Sequence, residues 1–470
     1  MPDPADMAGA SPVDPSRMPS LWQSPNFRKY IAALLSNSFA LQLITLTVGW
    51  QIYELTRNPL DLGLVGLSQA VPIFLLFLIA GLAADRLNRR AVMSVCSLIH
   101  ALVAGSLLSY AVMGPEASWP IFLILFIHGS ARAFYEPSLM SILPSLVEKP
   151  QFPTAIAYVT SLEKVTQIAG PATAGILIAL IGEWVYLIAL VCFAVAAGCA
   201  AFITQPPRAR IPRAIIVADL VSGFSYVWSN KLVFAVMSMD LVAILFSGIL
   251  GMLPAIARDV LHVGPEGLGL LRTMPAVGAL AVGLVLTQVP LKNNVGRTLI
   301  AACVAIGLSV IAFSFTEIFR LSLLFLAAYG AADMFSTNIR HTLVQLVTPN
   351  DMRGRVASVH SVMAGTSDDI GDFRAGATAA AIGLAPAIAV GGLITISLSL
   401  AWWWIFPAMR NVNLYGERRW RAESRRSEVL RSAQNQPVAR LIPGPPSLML
   451  TQRSPLARFW LFLLRLARQL

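Results

Sequence analysis

Gly81-Leu82-Ala83-Ala84-Asp85-Arg86-Leu87-Asn88-Arg89-Arg90 lies between two apolar runs, each long enough to cross a bilayer, and it is the one dense charge cluster in the first half of the chain. Arginines so placed mark a loop that stays on the cytoplasmic side, and a glycine one turn before an acid lets two helices approach where that acid can meet a partner. The stretch reads as a hinge between membrane spans, the property of a transport protein.

The rest of the chain agrees. Of its 470 residues 56% are hydrophobic and 13% charged, with a mean hydropathy of +0.68, a balance that no soluble fold can hide. An all-α integral membrane protein is expected. The formal net charge of +11 is spread between apolar spans and the C-terminal tail, so anionic lipid is the expected partner and nucleic acid is not. Cys96, Cys192, Cys199 and Cys303 fall inside apolar runs without metal spacing and read as packing residues. The first 25 residues lack a basic segment leading into a cleavable apolar core, so the first span is expected to stay.

Stretches of about 20 apolar residues place spans near 30–54, 61–84, 91–113, 119–147, 153–182 and 184–204. A second set follows near 232–256, 266–290, 298–316, 320–347, 355–383 and 386–407. The reading is twelve transmembrane helices in two six-helix bundles, with a segment 1–27, bundles 28–204 and 232–408, a connector 205–231 and a basic tail 409–470. Within the connector, Asp219 to Asn230 reads as an amphipathic surface helix. Basic residues gather on alternate loops, at Arg28 with Lys29, at Arg86, Arg89 and Arg90, at Lys149, at Arg208, Arg210 and Arg213, at Lys292 with Arg297, and at Arg353 with Arg355. The opposite loops offer only Arg57, Arg258, Arg272 and Arg320. Both termini are therefore expected in the cytoplasm.

The halves repeat. Leu146-Val147 through Pro150 recurs as Leu346-Val347 through Pro349, and Gly66-Leu67 with Pro72 recurs as Gly269-Leu270 with Pro275. A duplicated six-helix unit, giving pseudo-symmetric bundles, leaves such a trace.

The opening decapeptide resembles the signature between the second and third helices of the major facilitator superfamily. Val48-Gly49-Trp50-Gln51-Ile52-Tyr53, the segment from Asp259 to Leu271, and Leu343 to Pro349 with Arg353-Gly354-Arg355-Val356 resemble its branch of enterobactin-exporter-like secretion effectors, over about Phe27 to Arg410. The resemblance implies two bundles rocking about a central cavity and outward export of small amphipathic compounds, driven by a proton gradient with no bound cofactor. A siderophore or a hydrophobic drug is the implied cargo, the inner membrane the implied location and a monomer the expected state. Uptake of a nutrient is the competing reading. A membrane enzyme acting on lipid would need convergent His, Asp or Ser groups, and the sequence has no such motif.

Within this frame Gly81, Asp85, Arg86, Arg89 and Arg90 form a conformational latch, Asp85 meeting the helix start near Gly354, Arg355 and Val356. A charge inside a span costs on the order of 2.5–3.5 kcal/mol and must face a cavity or a partner. The third, sixth, ninth and twelfth spans carry none, which marks them as lipid-facing. Asp240 stands alone in the seventh span and is the first proton-coupling candidate, because burial without a partner favours a neutral carboxyl group. Neutralisation by Arg340 is its structural alternative. Asp333 and Arg340, seven apart, share a face and form another possible pair, and Glu163 with Gln167 is a second coupling candidate. Arg132 and Glu136 can pair across one turn. Asp368 and Asp372, with Asp369 and Arg374 nearby, form either a protonatable cluster or a hydrated kink at Gly371.

Gly170, Pro171 and Gly175 read as a helix bend resembling the antiporter signature of drug exporters, with Thr166 and Ala174 in glycine positions. Asn37, Gln42, Thr45 and Gln51 run polar groups through the first span. His100, His128 and His360 read as structural, and no metal site is expected. The tail carries a basic run from Arg418 to Arg426, then an amphipathic stretch, Pro455 to Leu470, suited to anionic lipid.

Overall fold

In the computed structural model, the Ser24 hydroxyl accepts from the Phe27 amide and Pro25 fills the first turn, a start that fixes α1 (Pro25–Thr56). The helix stops where Arg57 turns left-handed at φ 51°. There follow α2 (Pro59–Arg86), α3 (Arg89–Val112), α4 (Trp119–Ile142), α5 (Phe152–Ile181), α6 (Val185–Ala201), α7 (Ile216–Ser229), α8 (Lys231–Ser247) and the single turn α9 (Leu253–Ala255). The second half continues with α10 (Pro265–Gln288), α11 (Val295–Ser314), α12 (Phe319–Val347), α13 (Arg353–Ile382) and α14 (Leu384–Ile405). The structure describes residues 20–204, 216–288, 294–349 and 352–407, and among them no strand occurs. The expected basic tail with its terminal helix, the arginines at 208–213, and Lys292 lie outside the described residues.

Eight helical stretches are long and apolar enough to cross a membrane by length and composition. The remaining long helices, α4, α12 and α13, include Arg132, Glu136, Asp333, Arg340 and the aspartates near 370. The helices without interior charge pair as α3 with α6 and α11 with α14. They leave large apolar side chains exposed, among them Leu102, Val191, Leu308 and Leu393. Exposed apolar surface in continuous stripes is what a helix facing lipid presents.

Basic residues at one end of the bundle close helix ends. Lys29 Nζ donates to the Phe202 carbonyl at 2.7 Å, Arg89 Nη1 to Ser141 at 2.5 Å and Arg90 Nη1 to Ile203 at 2.9 Å. Each meets the carbonyl-rich terminus of α4 or α6, where a cation also offsets the helix dipole. The surface helix expected over 219–230 is α7, beginning three residues earlier, and its Val227 packs with Val356 and Val359 of α13.

Two similar glycine–proline contacts occur, one in each half of the chain. A Cβ at Gly129 of α4 would lie 2.6 Å from the Gln69 carbonyl and 2.9 Å from Pro72 of α2; its counterpart Gly330 of α12 lies directly against Pro275 of α10. The two halves of the sequence meet chiefly where α2 packs on α13 and α5 on α10.

The seventh span departs from its expected unbroken course over 232–256. The chain leaves α8 at Gly248, and a Cβ there would sit 2.6 Å from the Gly371 carbonyl, so the two backbones touch. A break in an apolar interior exposes peptide groups that need partners. Arg374 donates to the Leu245 and Phe246 carbonyls, both at 2.9 Å, Arg272 donates to the Leu250 carbonyl at 3.0 Å, and the Gly251 amide donates to Asp372 at 3.1 Å. The kink expected at Gly371 thus belongs to the neighbouring helix, while α13 stays helical through Gly371.

Candidate functional site

A cavity of about 450 Å³ lies between the helices, lined from the first half of the chain by Gln42, Lys164, Gln167 and Pro171. The second half contributes apolar residues of α8, α10 and α11, and the charged groups Asp240, Arg272, Asp333, Arg340 and Asp368. Asp240, Asp333 and Asp368 all line this space instead of the apolar outer surface, as the cost of an unpartnered charge in lipid requires.

Asp240 is not alone. It is 5% exposed, and its Oδ1 lies 2.6 Å from Arg340 Nη2, close enough for an ion pair although not aligned as a hydrogen bond. Its Oδ2 lies 2.8 Å from His360 Nε2, so His360, which the sequence marks only as structural, is a direct partner. Arg340 is itself 3% exposed and donates to Ser336 Oγ at 2.7 Å and Thr337 Oγ1 at 2.9 Å. A second carboxylate, Asp333, approaches the same Nη2 at 3.8 Å with 47% of its side chain exposed. One guanidinium therefore stands between a buried acid and a cavity-facing acid. His341, its ring centroid 5.1 Å from that of His360 and the two planes inclined at 59°, lines the same space.

On α13, Asp368 opens on the cavity, whereas Asp372 turns to the broken seventh span. Arg272, counted with the loop arginines from sequence, is inside α10 and serves that same break. On α5 the cavity receives Lys164 and Gln167 and not Glu163, which is half-buried on another face. Pro171 lines the cavity, Gly170 packs on the Gln42 side chain and Gly175 packs on Gly269. No ion pair joins Arg132 to Glu136 among the described residues, and Glu136 is exposed. Of the polar residues of the first span only Gln42 reaches the cavity. Gln51 accepts from Tyr186 at 2.6 Å, Thr45 bonds its own helix, and Asn37 is buried without a hydrogen-bond partner.

The side chains of Asp85 and Arg86, and the surroundings of Gly81, lie outside what the structure describes. The start of α13 that Asp85 is expected to meet packs on α7, the Arg355 carbonyl lying 2.9 Å from a Cβ built at Gly223.

A tie between the halves that was not foreseen from sequence sits at the C-terminal end of α1. Tyr53 donates to the Asp259 carboxylate, Arg57 Nη1 lies 3.3 Å from Asp259, Arg57 Nη2 lies 3.1 Å from Glu54, and Arg258 Nε lies 3.0 Å from Glu54. Tyr53 and Asp259 each stand at one end of a segment that carries the family resemblance, and only the fold brings them together.

A family profile described as Transmembrane secretion effector matches residues 20–436. The enterobactin exporter EntS of Citrobacter koseri is 24% identical over 387 residues, covering 80% of this chain and 91% of that protein. The multidrug efflux pump Tap of Mycolicibacterium fortuitum is 25% identical over 350 residues, with 71% and 84% covered. Macrolide efflux protein A of Streptococcus pyogenes is 24% identical over 370 residues, with 76% and 90% covered. Among solved structures, the nucleoside transporter NupG superposes with a TM-score of 0.65 at 14% identity, over 81% of this chain and 99% of that one. A bacterial homologue of the human lysosomal transporter Spinster, in an inward-facing unoccupied conformation, gives 0.65 at 14% identity, over 84% and 98%.

Proposed function

The chain belongs to the transmembrane secretion effector family of the major facilitator superfamily, and from that premise we propose that it exports small amphipathic molecules by alternating access, driven by a proton gradient. It is a multi-pass membrane transporter and not an enzyme. The finer architecture we propose is twelve spans in two matched bundles, 28–204 and 232–408, in the inner membrane with both termini cytoplasmic. The sequence repeat and the matched Gly129–Pro72 and Gly330–Pro275 contacts support it. Relatives named for a siderophore, for macrolides and for multiple drugs favour efflux over nutrient uptake.

The observation that carries the reading is the single guanidinium of Arg340 between Asp240 and Asp333 at one cavity wall. With two carboxylates at one cation, either can take up a proton and leave the other paired. Asp333, open to the cavity, is the group that exchanges it, and Asp240 with His360 holds the guanidinium in place. In inverted vesicles with an acid lumen, wild-type protein is expected to accumulate cargo. Asp333→Asn is expected to abolish that accumulation while exchange of cargo down its own gradient persists. Equal proton-driven accumulation by Asp333→Asn would remove the assignment.

The two ties between halves then serve as gates. Asp85 with the Gly354–Val356 helix start latches the cytoplasmic end, and the Tyr53, Glu54, Arg57, Arg258 and Asp259 network closes the other. Its ion pairs are 35–45% exposed, so each is worth about 0.2–1 kcal/mol and is screened by salt. Asp259→Asn is expected to raise labelling of a cysteine placed at Gln42, from the side of this network, about threefold at low salt and by less in ~1 M salt. The measurement uses an impermeant thiol reagent on protein lacking the four native cysteines. A salt-independent increase would contradict an electrostatic gate.

A further inference from the structure

We infer that Lys164 sets the charge of the cargo, making the cavity a receptor for amphipathic molecules that end in a carboxylate or an ionised phenol. The inference rests on the export reading above and adds the chemical class of what is exported. Lys164 is exposed and lines the cavity, its Nζ donating to Gln167 Oε1 at 2.8 Å. No carboxylate among the described residues lies within 4.0 Å of it. The other lining cations are committed: Arg340 to Asp240 at 2.6 Å, and Arg272 to the Leu250 carbonyl at 3.0 Å. Among the described lining residues Lys164 is thus the ammonium with donor capacity to spare, since –NH₃⁺ offers three protons and Gln167 takes one.

The surroundings suit an anion held by one end. Gln42 and Gln167 place amide groups on the same wall, and Gly170 lets Gln42 lie flat on α5, a Cβ there falling 2.6 Å from Gln42 Cβ. Elsewhere in the lining Pro275, Ala276, Ala279 and Ile306 present small apolar surface for a flat or chain-like body. Asp333 and Asp368 line the same cavity and disfavour an acidic end beside them, which leaves Lys164 to receive it. Outward movement of a negative charge is also favoured by an inside-negative membrane potential.

The test uses one dansyl-labelled alkyl chain ending in a carboxylate, a carboxamide or an ammonium, offered to inverted vesicles. Wild-type protein is expected to accumulate the carboxylate in preference to the carboxamide. Lys164→Gln should lower the carboxylate-to-carboxamide ratio about tenfold, the loss of one charge-assisted hydrogen bond. Lys164→Arg should restore the ratio and Lys164→Glu should turn preference to the ammonium. On wild-type protein alone, the carboxylate probe should protect Lys164 from acetylation, read by mass spectrometry, and the carboxamide should not. An unchanged ratio in Lys164→Gln, or equal protection by both probes, overturns the inference while export of the carboxamide leaves the transporter reading standing. Wild-type protein that moves none of the three overturns both.

Discussion

Arg340→Met is expected to be the most destabilising single change among the cavity residues, because it strands Asp240 as a buried carboxylate 5% exposed. Removing one partner of a buried pair costs about 3–5 kcal/mol, far more than the pair itself contributes relative to an apolar replacement. His360 offers only one further contact to the carboxylate, at 2.8 Å. The measurement is the thermal unfolding midpoint and the folded yield in detergent, both of which should fall sharply. The double variant Asp240→Leu with Arg340→Met should recover most of the loss, since it removes both charges from the interior together. Asp333→Asn should cost much less than Asp240→Asn, its side chain being 47% exposed and 3.8 Å from the guanidinium. An Arg340→Met protein as stable as wild type would mean that Asp240 is neutral in the folded state and that Arg340 is not its counter-ion.

Much of this site was legible because lipid imposes a rule on charge that water does not. Acids and arginines inside apolar spans had to turn inward, and Asp240, Asp333 and Asp368 do. The same rule marked out the helices without interior charge, which pair as α3 with α6 and α11 with α14 and leave apolar side chains exposed. What stayed hidden was pairing between helices distant in sequence. Nothing in the periodicity of the seventh span announces that His360, 120 positions on, bonds its aspartate. Glu163 and Lys164 are neighbours on one helix, about 100° apart around its axis, and both suit a polar face, so only packing decides that Lys164 meets the cavity. The break at Gly248 was likewise invisible, because it depends on Gly371 of another helix and on Arg374 and Arg272 to satisfy the released carbonyls. Apolar runs signal that a chain crosses lipid, and they carry no record of where its backbone departs from α geometry.

Gly175→Leu is expected to abolish transport while leaving the protein folded in the opposite conformation. A Cβ at Gly175 of α5 would lie 2.5 Å from the Pro265 carbonyl and 2.9 Å from Gly269 Cα, and the obstacle is backbone, which cannot swing aside as a side chain can. The matching contact of α2 with α13 brings Gly63 within 2.8 Å of a Cβ built at Gly376. Both crossings join the two halves of the chain on the side of the Tyr53–Asp259 network, so a bulky residue at either one pries that end apart without entering the interior of a bundle. Overpacking within a well-packed interface costs about 1–3 kcal/mol, enough to shift a two-state equilibrium by ~5-fold to ~150-fold. A cysteine at Gln42, in a background lacking the native four, reports the shift. It should be shielded from an impermeant reagent on that side in the parent protein and labelled rapidly in Gly175→Leu. Gly175→Ala, which adds the same close Cβ without the longer side chain, should fall between the two. Full transport by Gly175→Leu would show that the helices separate at this crossing throughout the cycle, and the closed end would then have to be held by the charged network alone.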